Sequence, residues 1–138
     1  MVKKKLYLLD SSALINDLAF SFNAKSNYVM TLECFKELRS LETRLLAENA
    51  LGQGLLSIRD SCPGSVQQVL GFLEKIGDRR LSKADISLIA LALEFKDRNE
   101  KAMVVSDDYS IQNALKLLKI PFQPALQGKI RKAKKWNK

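Results

Sequence analysis

The chain of 138 residues carries 23 Lys and Arg against 15 Asp and Glu, a net charge of +8, and contains no histidine. The missing histidine excludes a Ser-His-Asp triad, a histidine general base and every histidine-containing metal site. Cys34 and Cys62 lie too far apart for a CxxC site and are typical of a reducing cytosol, and no GxGxxG or P-loop motif occurs. The remaining chemistry is that of carboxylates with a hard metal such as Mg²⁺ or Mn²⁺, or of lysines and hydroxyls.

The length and the composition, 46% hydrophobic and 28% charged, predict one soluble domain with a substantial core. The basic and apolar start of the chain imitates a signal peptide, but Asp10 interrupts the apolar run too early. No stretch approaches the roughly 20 apolar residues of a membrane helix. We therefore expect a cytoplasmic protein that makes no use of a membrane.

The first half of the chain alternates predicted strands and helices. In chain order these are a strand at 3–9, a helix from a cap at Ser11 or Ser12 to about Phe22, a strand at 28–30, a helix capped by Thr31 that carries Cys34, Phe35 and Leu38, a helix at 42–51 and a strand at 55–59.

The second half continues the alternation. We predict a turn at 62–64, an amphipathic helix capped by Ser65 and ended by Gly77, a helix from Ser82 to about Arg98, a strand at 102–105, a helix at 110–119 and an extended piece at 120–122. The helix at 82–98 is apolar around most of its circumference, which predicts burial. Strands separated by helices predict an α/β fold, a three-layer α/β/α domain with a mostly parallel sheet over residues 1–125.

A basic tail over residues 126–138 follows this domain. Its last ten residues hold six basic side chains and no acidic one. Such tails commonly meet phosphate, and an aromatic residue in them can stack on a base, so Lys132, Lys135 and Trp136 are candidate nucleic-acid contacts. The alternative is a solvated end without a partner.

Aspartates stand where apolar runs end or a helix begins. Asp10 follows the apolar run at 6–9, the pair Asp107 and Asp108 follows the one at 103–105, and Asp85 lies at the start of the buried helix. In open α/β sheets, sites form at the carboxyl ends of the strands. Carboxylates gathered there repel one another unless a cation or a proton holds them, so the pattern predicts a divalent metal site.

Each of these acidic residues except Asp10 has a ready structural explanation, and Asp10 is harder to explain because Ser11 and Ser12 already supply a helix cap. Asp85 completes a Ser-x-x-Asp capping box with Ser82, and this role is compatible with reaching a metal from the first helical turn. Asp107 and Asp108 fit a turn and a helix cap. Glu37 fits an ordinary solvated position on a helix.

Four short blocks, taken together, resemble the PIN domain family. They are residues 8–15, the segment Thr31-x5-Glu37-Leu38, residues 81–92 and residues 104–108, and the resemblance spans about residues 4–123. It implies a metal-dependent ribonuclease whose catalytic acids are Asp10, Glu37, Asp85 and Asp108. Asp10, Asp85 and Asp108 would bind the metal, with Asp107 as the alternative ligand because the register of the pair is ambiguous.

Residues 81–93 and 106–113 resemble more closely the PIN domain of the ribosome-maturation endonuclease family of archaea and eukaryotes. That resemblance implies RNA as the substrate, namely the precursor of small-subunit ribosomal RNA cut at its 3′ end, and ribosome-assembly factors as partners. A zinc ribbon follows the PIN domain in that family. This chain ends about where the ribbon should begin, so we expect either a shortened chain or a single-domain relative.

The chemistry implied by the family assigns further roles. Mg²⁺ or Mn²⁺ would activate water for attack on the phosphodiester, Ser12 and Ser106 would orient the carboxylates, and Lys83 would contact a flanking phosphate. Two alternatives stay open. One is a VapC-type toxin ribonuclease of a toxin–antitoxin pair. The other is a PIN-like domain that binds RNA without cutting, which is favoured only if the acids fail to converge.

Overall fold

Short strands and helices alternate along the whole described part of the protein. The structure, a computed structural model, describes residues 4–15 and 21–125. The strands are β1 (Lys5–Leu9), β2 (Ser26–Met30), β3 (Leu56–Ile58), β4 (Met103–Val105) and β5 (Phe122–Gln123). The helices are α1 (Ser11–Ile15), α2 (Leu32–Lys36), α3 (Leu41–Gly52), α4 (Pro63–Ile76), α5 (Lys83–Asp97) and α6 (Tyr109–Leu117).

The five strands form one parallel sheet in the order β3-β2-β1-β4-β5. β1 is central, and its Tyr7 pairs with Tyr28 of β2 on one side and with Met103 of β4 on the other. The strand order reverses between β1 and β4, and a crevice at the carboxyl ends of such strands is where open α/β sheets bind ligands. The predicted three-layer α/β/α architecture with a parallel sheet is confirmed.

The core forms where α5 contacts β1. Leu8 and Leu9 of β1 are fully buried, as are Leu88, Ile89 and Leu91 of α5. This confirms the prediction that the helix is buried, and it places the first turn of α5 beside the sheet. Among the described residues, no helix is long and apolar enough to cross a membrane.

Side-chain caps fix the starts of the helices that surround the sheet. Thr31 caps α2 by accepting a hydrogen bond from the Cys34 backbone, and Ser82 forms the predicted capping box with Asp85 at the start of α5. α4 ends at Gly77, whose φ of 71° is the left-handed conformation that glycine adopts without strain. These three sequence signals are confirmed.

The predicted start of α4 is wrong. The helix begins at Pro63 with Cys62 as its cap, so residues 62–64 are not a separate turn and Ser65 lies inside the helix. Proline suits the first helical position, because that residue has no intrahelical partner for a backbone N–H and its φ is already helical. The Cys62 N–H instead donates to Glu94 Oε2 at 2.6 Å.

Several other boundaries differ by a few residues. α2 ends at Lys36, so Leu38 is buried but lies beyond the helix. Residues 21–23 are not helical, which contradicts a first helix reaching Phe22, and residues 16–20 lie outside the described part of the chain. α6 begins at Tyr109 because Asp108 is its cap, and the last strand comprises Phe122 and Gln123 only.

Candidate active site

Asp10 occupies the carboxyl end of the central strand and is almost completely buried. Its backbone N–H donates to the Val105 carbonyl at 3.0 Å, which extends the pairing of β1 with β4. Its Oδ2 accepts hydrogen bonds from the hydroxyls of Ser12 at 2.6 Å and Ser106 at 2.9 Å. Two hydroxyls therefore fix this carboxylate, in the arrangement that the sequence-based role of both serines requires.

The same two serines join the ends of β1 and β4. The Ser12 Oγ accepts the Asp107 N–H at 3.2 Å, and the Ser106 Oγ accepts the Asp108 N–H at 3.1 Å. Each hydroxyl thus donates to Asp10 and accepts from the segment after β4. The loop that carries both aspartates is tied to Asp10 through side chains as well as through the sheet.

The paired aspartates point to different places. Asp108 Oδ1 accepts the backbone N–H groups of Ser110 at 2.7 Å and Ile111 at 3.4 Å, which makes it the cap of α6. Asp107 Oδ1 accepts the Ala125 N–H at 2.8 Å, beyond β5. The sequence left the register of this pair open, and the two contacts distinguish the side chains.

Asp85 has the structural role foreseen for it and also faces the other acids. Its Oδ2 accepts the Ser82 N–H at 2.9 Å, and the Ser82 hydroxyl accepts the Asp85 N–H at 3.2 Å. The side chain is half-buried, and both Asp108 and Glu37 raise its pKa by charge repulsion. The cap holds one oxygen and leaves the other without a hydrogen bond to any described residue.

Glu37 reaches the site through a contact that the sequence analysis missed. Its Oε1 accepts the hydroxyl of Ser11 at 2.7 Å, and Ser11 is itself buried. The signal was present in the run Asp10-Ser11-Ser12, because neighbouring residues at the start of a helix point in different directions. One of the two hydroxyls serves Asp10 and the other serves Glu37.

A buried link holds α2 against the first turn of α5. The hydroxyls of Thr31 and Ser87 are 2.8 Å apart, and the Cys34 thiol donates to the Ala84 carbonyl at 3.6 Å. Burial raises the pKa of Cys34 to about 12, so this thiol stays protonated and structural. The link fixes the position of Glu37, just after α2, relative to Asp85.

Burial and charge repulsion together raise the pKa of two of these acids, Asp10 and Asp85. Burial is the main cause that raises the pKa of Asp10, and the negative charges of Asp85 and Asp108 add to it. Hydrogen bonds from Ser12 and Ser106 oppose that rise. The pKa of Asp85 is raised by burial first, then by Asp108 and Glu37. The four acids therefore form one electrostatic group at this edge.

The donor chemistry of this group fits a hard divalent cation. Each of the four carboxylates has one oxygen held by a hydroxyl or a backbone N–H, while its other oxygen has no hydrogen-bond donor among the described residues. Free carboxylate oxygens of this kind are what Mg²⁺ and Mn²⁺ prefer. The fit is incomplete as the side chains stand, because no three Asp, Glu or Cys side chains in the described segments are gathered closely enough to hold a metal.

A family model for the PIN domain of ribonuclease matches residues 7–95, which cover the three acids from Asp10 to Asp85. The chain belongs to the PIN domain family of ribonucleases. This confirms the family that the sequence blocks indicated.

Two sequence relatives show which proteins of the PIN domain family the chain is similar to. The chain is 33% identical over 132 residues to the endoribonuclease Nob1 of Methanothermobacter thermautotrophicus, and the alignment covers 95% of this chain and 75% of the relative. It is 31% identical over 138 residues to the endoribonuclease Nob1 of Pyrococcus abyssi, covering 99% and 78%. The predicted resemblance to an endoribonuclease family is confirmed over nearly the whole chain.

One solved structure supports the fold alone. A chain in the structure of VapBC-1 from nontypeable Haemophilus influenzae superimposes with a TM-score of 0.56 and 11% identity, covering 88% of this chain and 98% of that one. At this identity the likeness concerns the backbone architecture, and it agrees with the three-layer PIN fold described above.

Two exposed lysines of the PIN domain lie beside Glu33, and one of them is the predicted phosphate contact Lys83. Lys83 is 86% exposed, and its Nζ lies 4.0 Å from Glu33 Oε1, to which Lys36 also approaches at 3.8 Å. These are surface ion pairs that a phosphate can displace at little cost. The predicted contacts Lys132, Lys135 and Trp136 lie outside the described residues.

Proposed function

We propose that this PIN domain is a Mg²⁺- or Mn²⁺-dependent endoribonuclease that acts in the maturation of small-subunit ribosomal RNA. The observation that carries the proposal is the set of four anchored carboxylates, Asp10, Glu37, Asp85 and Asp108, at the reversal of strand order. The name endoribonuclease of the two sequence relatives supports RNA hydrolysis as the activity.

Asp10, Asp85 and Asp108 are the metal ligands in this proposal, and Glu37 completes the catalytic acids. Asp108 is preferred to Asp107 because Asp108 acts on the pKa of both Asp10 and Asp85. The Asp107 side chain, in contrast, binds the backbone of Ala125. The serines act through the carboxylates, since Ser12 and Ser106 hold the orientation of Asp10.

The reaction is a hydrolysis, so water and the phosphodiester are its only reactants. A bound divalent cation would lower the pKa of water and offset charge on the phosphate. The carboxylates of the chain would hold that cation through the oxygens that accept no hydrogen bond from a described residue. Cleavage would form a bond from the water oxygen to phosphorus and break the bond from phosphorus to the leaving 3′ oxygen, which takes up the proton that the water releases, so no histidine is needed.

The finer assignments follow from the family and from the chain. We propose the small-subunit ribosomal RNA precursor as the substrate, ribosome-assembly factors as partners and the cytoplasm as the location. The two cysteines, both free, support a reducing compartment. We assign residues 1–125 to the PIN domain and residues 126–138 to a basic tail that assists RNA binding together with Lys83.

Cleavage of a 5′-labelled single-stranded RNA that spans the small-subunit 3′ processing site tests the proposal. We expect cutting with Mn²⁺, none with EDTA, and none with Asp10→Asn, which keeps an oxygen for both serines but removes the charge. Asp97→Asn is the matched control, because Asp97 is an exposed carboxylate at the opposite end of α5. Cutting that survives Asp10→Asn contradicts the proposed site, and binding without cutting supports the non-cleaving alternative.

A further inference from the structure

A cleft of about 450 Å³ opens between the end of α4 and one face of α6. The cleft is open to solvent, and its volume falls within the range of small-ligand sites, roughly 300 to 1,000 Å³. The connection from α4 to α5 forms one wall and α6 forms the other. The lining residues are Ile76, Gly77, Asp78, Arg79, Arg80, Asn113 and Leu117.

Arg80 is held in place in this cleft and yet remains open to solvent. Its Nε and Nη2 donate to Oδ1 and Oδ2 of Asp78 at 3.4 and 3.3 Å, and its backbone N–H donates to the same carboxylate at 3.0 Å. The Arg80 side chain is nevertheless 66% exposed, whereas that of Asp78 is 5% exposed. The Asp78 carboxylate therefore aligns the guanidinium, whose remaining N–H groups can bind a phosphate.

Tyr109 begins the face of α6 whose later residues Asn113 and Leu117 line the cleft. It is the residue after Asp108 and the first residue of α6, and it is 77% exposed. Asn113 and Leu117 follow it at intervals of four, so the three side chains share one face of the helix. Tyr109 makes no ring contact with another described aromatic side chain, and its exposed ring is accessible to a base.

We propose that this cleft binds the nucleotide next to the cut, with Tyr109 stacked on an unpaired base and Arg80 bound to the adjoining phosphate. The inference rests on the proposed function and adds the residues that select single-stranded RNA. A base must leave its stack to lie on an aromatic ring, and stacking of this kind tolerates any sequence. Arg79 adds a second positive charge to the same wall, with no ion pair among the described residues.

Charge and position both favour RNA as the occupant. The two arginines complement phosphate, and the only described carboxylate lining the cleft, that of Asp78, is already paired with Arg80. The helical face begins at Tyr109, next in sequence to the cap Asp108, so an RNA strand that follows this face would lead toward the acidic site. The lining would therefore direct a chain of phosphates toward the cutting centre.

Fluorescence anisotropy with a labelled single-stranded RNA, measured in EDTA over a series of salt concentrations, tests the two contacts separately. Arg80→Ala should weaken binding and reduce the slope of log K against log salt by about 0.7, the loss of one phosphate contact. Tyr109→Ala should weaken binding about tenfold without changing the slope, and Tyr109→Phe should restore it. Exposed Leu41 and Lys101, outside the cleft, supply the control variants Leu41→Ala and Lys101→Ala.

The outcomes separate this inference from the proposed function, since binding in EDTA requires no cleavage. Unchanged affinity in Arg80→Ala and Tyr109→Ala overturns the inference even if the protein cuts RNA, and so does an absence of single-strand binding by the native protein. Weaker binding by both variants supports the inference even if no cleavage occurs.

The affinity for a duplex of the same sequence should not depend on Tyr109. A loss of duplex affinity in Tyr109→Ala as large as the loss of single-strand affinity overturns the stacking contact. Arg80→Lys, which keeps the charge, should keep the salt slope.

Discussion

The two ends of α5 differ in their electrostatics, since like charges lie close together at the first turn and favourable cation–ring contacts form at the last turn. In its first turn, burial raises the pKa of Asp85, and the negative charges of Asp108 and Glu37 add to that rise. Its last turn buries Phe95, whose ring centroid lies 4.9 Å from the Arg59 guanidinium carbon and 5.1 Å from that of Arg98. Both arginines are placed for favourable contact with the ring.

The difference shows which end serves stability and which serves function. Phe95 is 2% exposed, and Glu94 and Lys96 beside it bond to the backbone of Cys62 and Leu118, so the last turn is fully satisfied. The first turn is capped by Ser82 but brings Asp85 close to other negative charges, and a bound cation or protonation would remove the repulsion between them. Substitutions at the two ends should therefore separate activity from stability.

The largest expected effect is on activity at the first turn. Asp85→Asn should reduce the rate of RNA cleavage roughly a thousandfold, because one ligand of the cation is lost while the cap to Ser82 is kept. The measurement is single-turnover cleavage with Mn²⁺. Glu94→Gln, a matched change near the last turn, should leave the rate unchanged, and a similar loss there would contradict the division between the two ends.

The next effect is on stability at the last turn. Phe95→Ala should lower the free energy of unfolding by about 3 to 5 kcal/mol, since it leaves a cavity and removes the partner of two arginines. Urea denaturation measures this change. Phe95→Leu should cost clearly less because it refills most of the space, and equal costs for both variants would mean that the cavity is not the cause.

A smaller effect is expected for the helix cap. Ser82→Ala should lower the free energy of unfolding by about 1 kcal/mol, because the Asp85 backbone N–H loses its side-chain acceptor. Asp85 keeps its bond to the Ser82 backbone, so cleavage should change little. Ser82→Thr, which retains a hydroxyl, is the control, and a large loss of cleavage in Ser82→Ala would show that the cap positions the carboxylate.

The smallest effect concerns pH. The pKa of Asp10 is raised above 3.8 in the folded state, so at a pH between the two values the folded chain binds more protons than the unfolded chain. The contribution of Asp10 to the free energy of unfolding therefore becomes more favourable to the folded state as the pH falls through the raised pKa toward 3.8. Without metal, the Asp10→Asn protein should therefore have a melting temperature a few degrees higher than the native protein at pH 7, because each kcal/mol of added stability raises the melting temperature by roughly 4 °C. This advantage should shrink as the pH falls, and added Mn²⁺ at pH 7 should raise the melting temperature of the native protein only.

Much of the fold was accessible from the sequence because local signals agreed with one another. Thr31, Ser82 and Gly77 mark helix ends by their own chemistry, and the apolar circumference of α5 marks its burial. The start of α4 failed because Cys62-Pro63-Gly64 fits a turn as well as a helix start. The Pro63 ring favours a helix start, but the hydrogen bond from the Cys62 N–H to Glu94 at this start joins residues that are far apart in the sequence.

The candidate site was accessible in its residues but not in its contacts. Asp10, Asp85 and Asp108 follow recognisable local patterns, whereas the Ser11 bond to Glu37 joins residues 26 positions apart and depends on where α2 lies. The division of roles between Asp107 and Asp108 also needed the position of Ala125. Arg80 and Tyr109 gave no motif, since an arginine in a loop and an exposed tyrosine are common in any soluble protein.

The bond from Ala125 to Asp107 has a consequence for whatever follows in the chain. β5 runs parallel to β4, so its end lies at the same edge of the sheet as the carboxylates, and the Asp107 side chain fastens the backbone there. A segment joined at this point is tethered at the mouth of the site. Its effective concentration toward bound RNA is then set by tether length rather than by its own affinity. In the RNA-binding role proposed for the tail, weak phosphate contacts after residue 125 would act as an intramolecular clamp on an RNA strand.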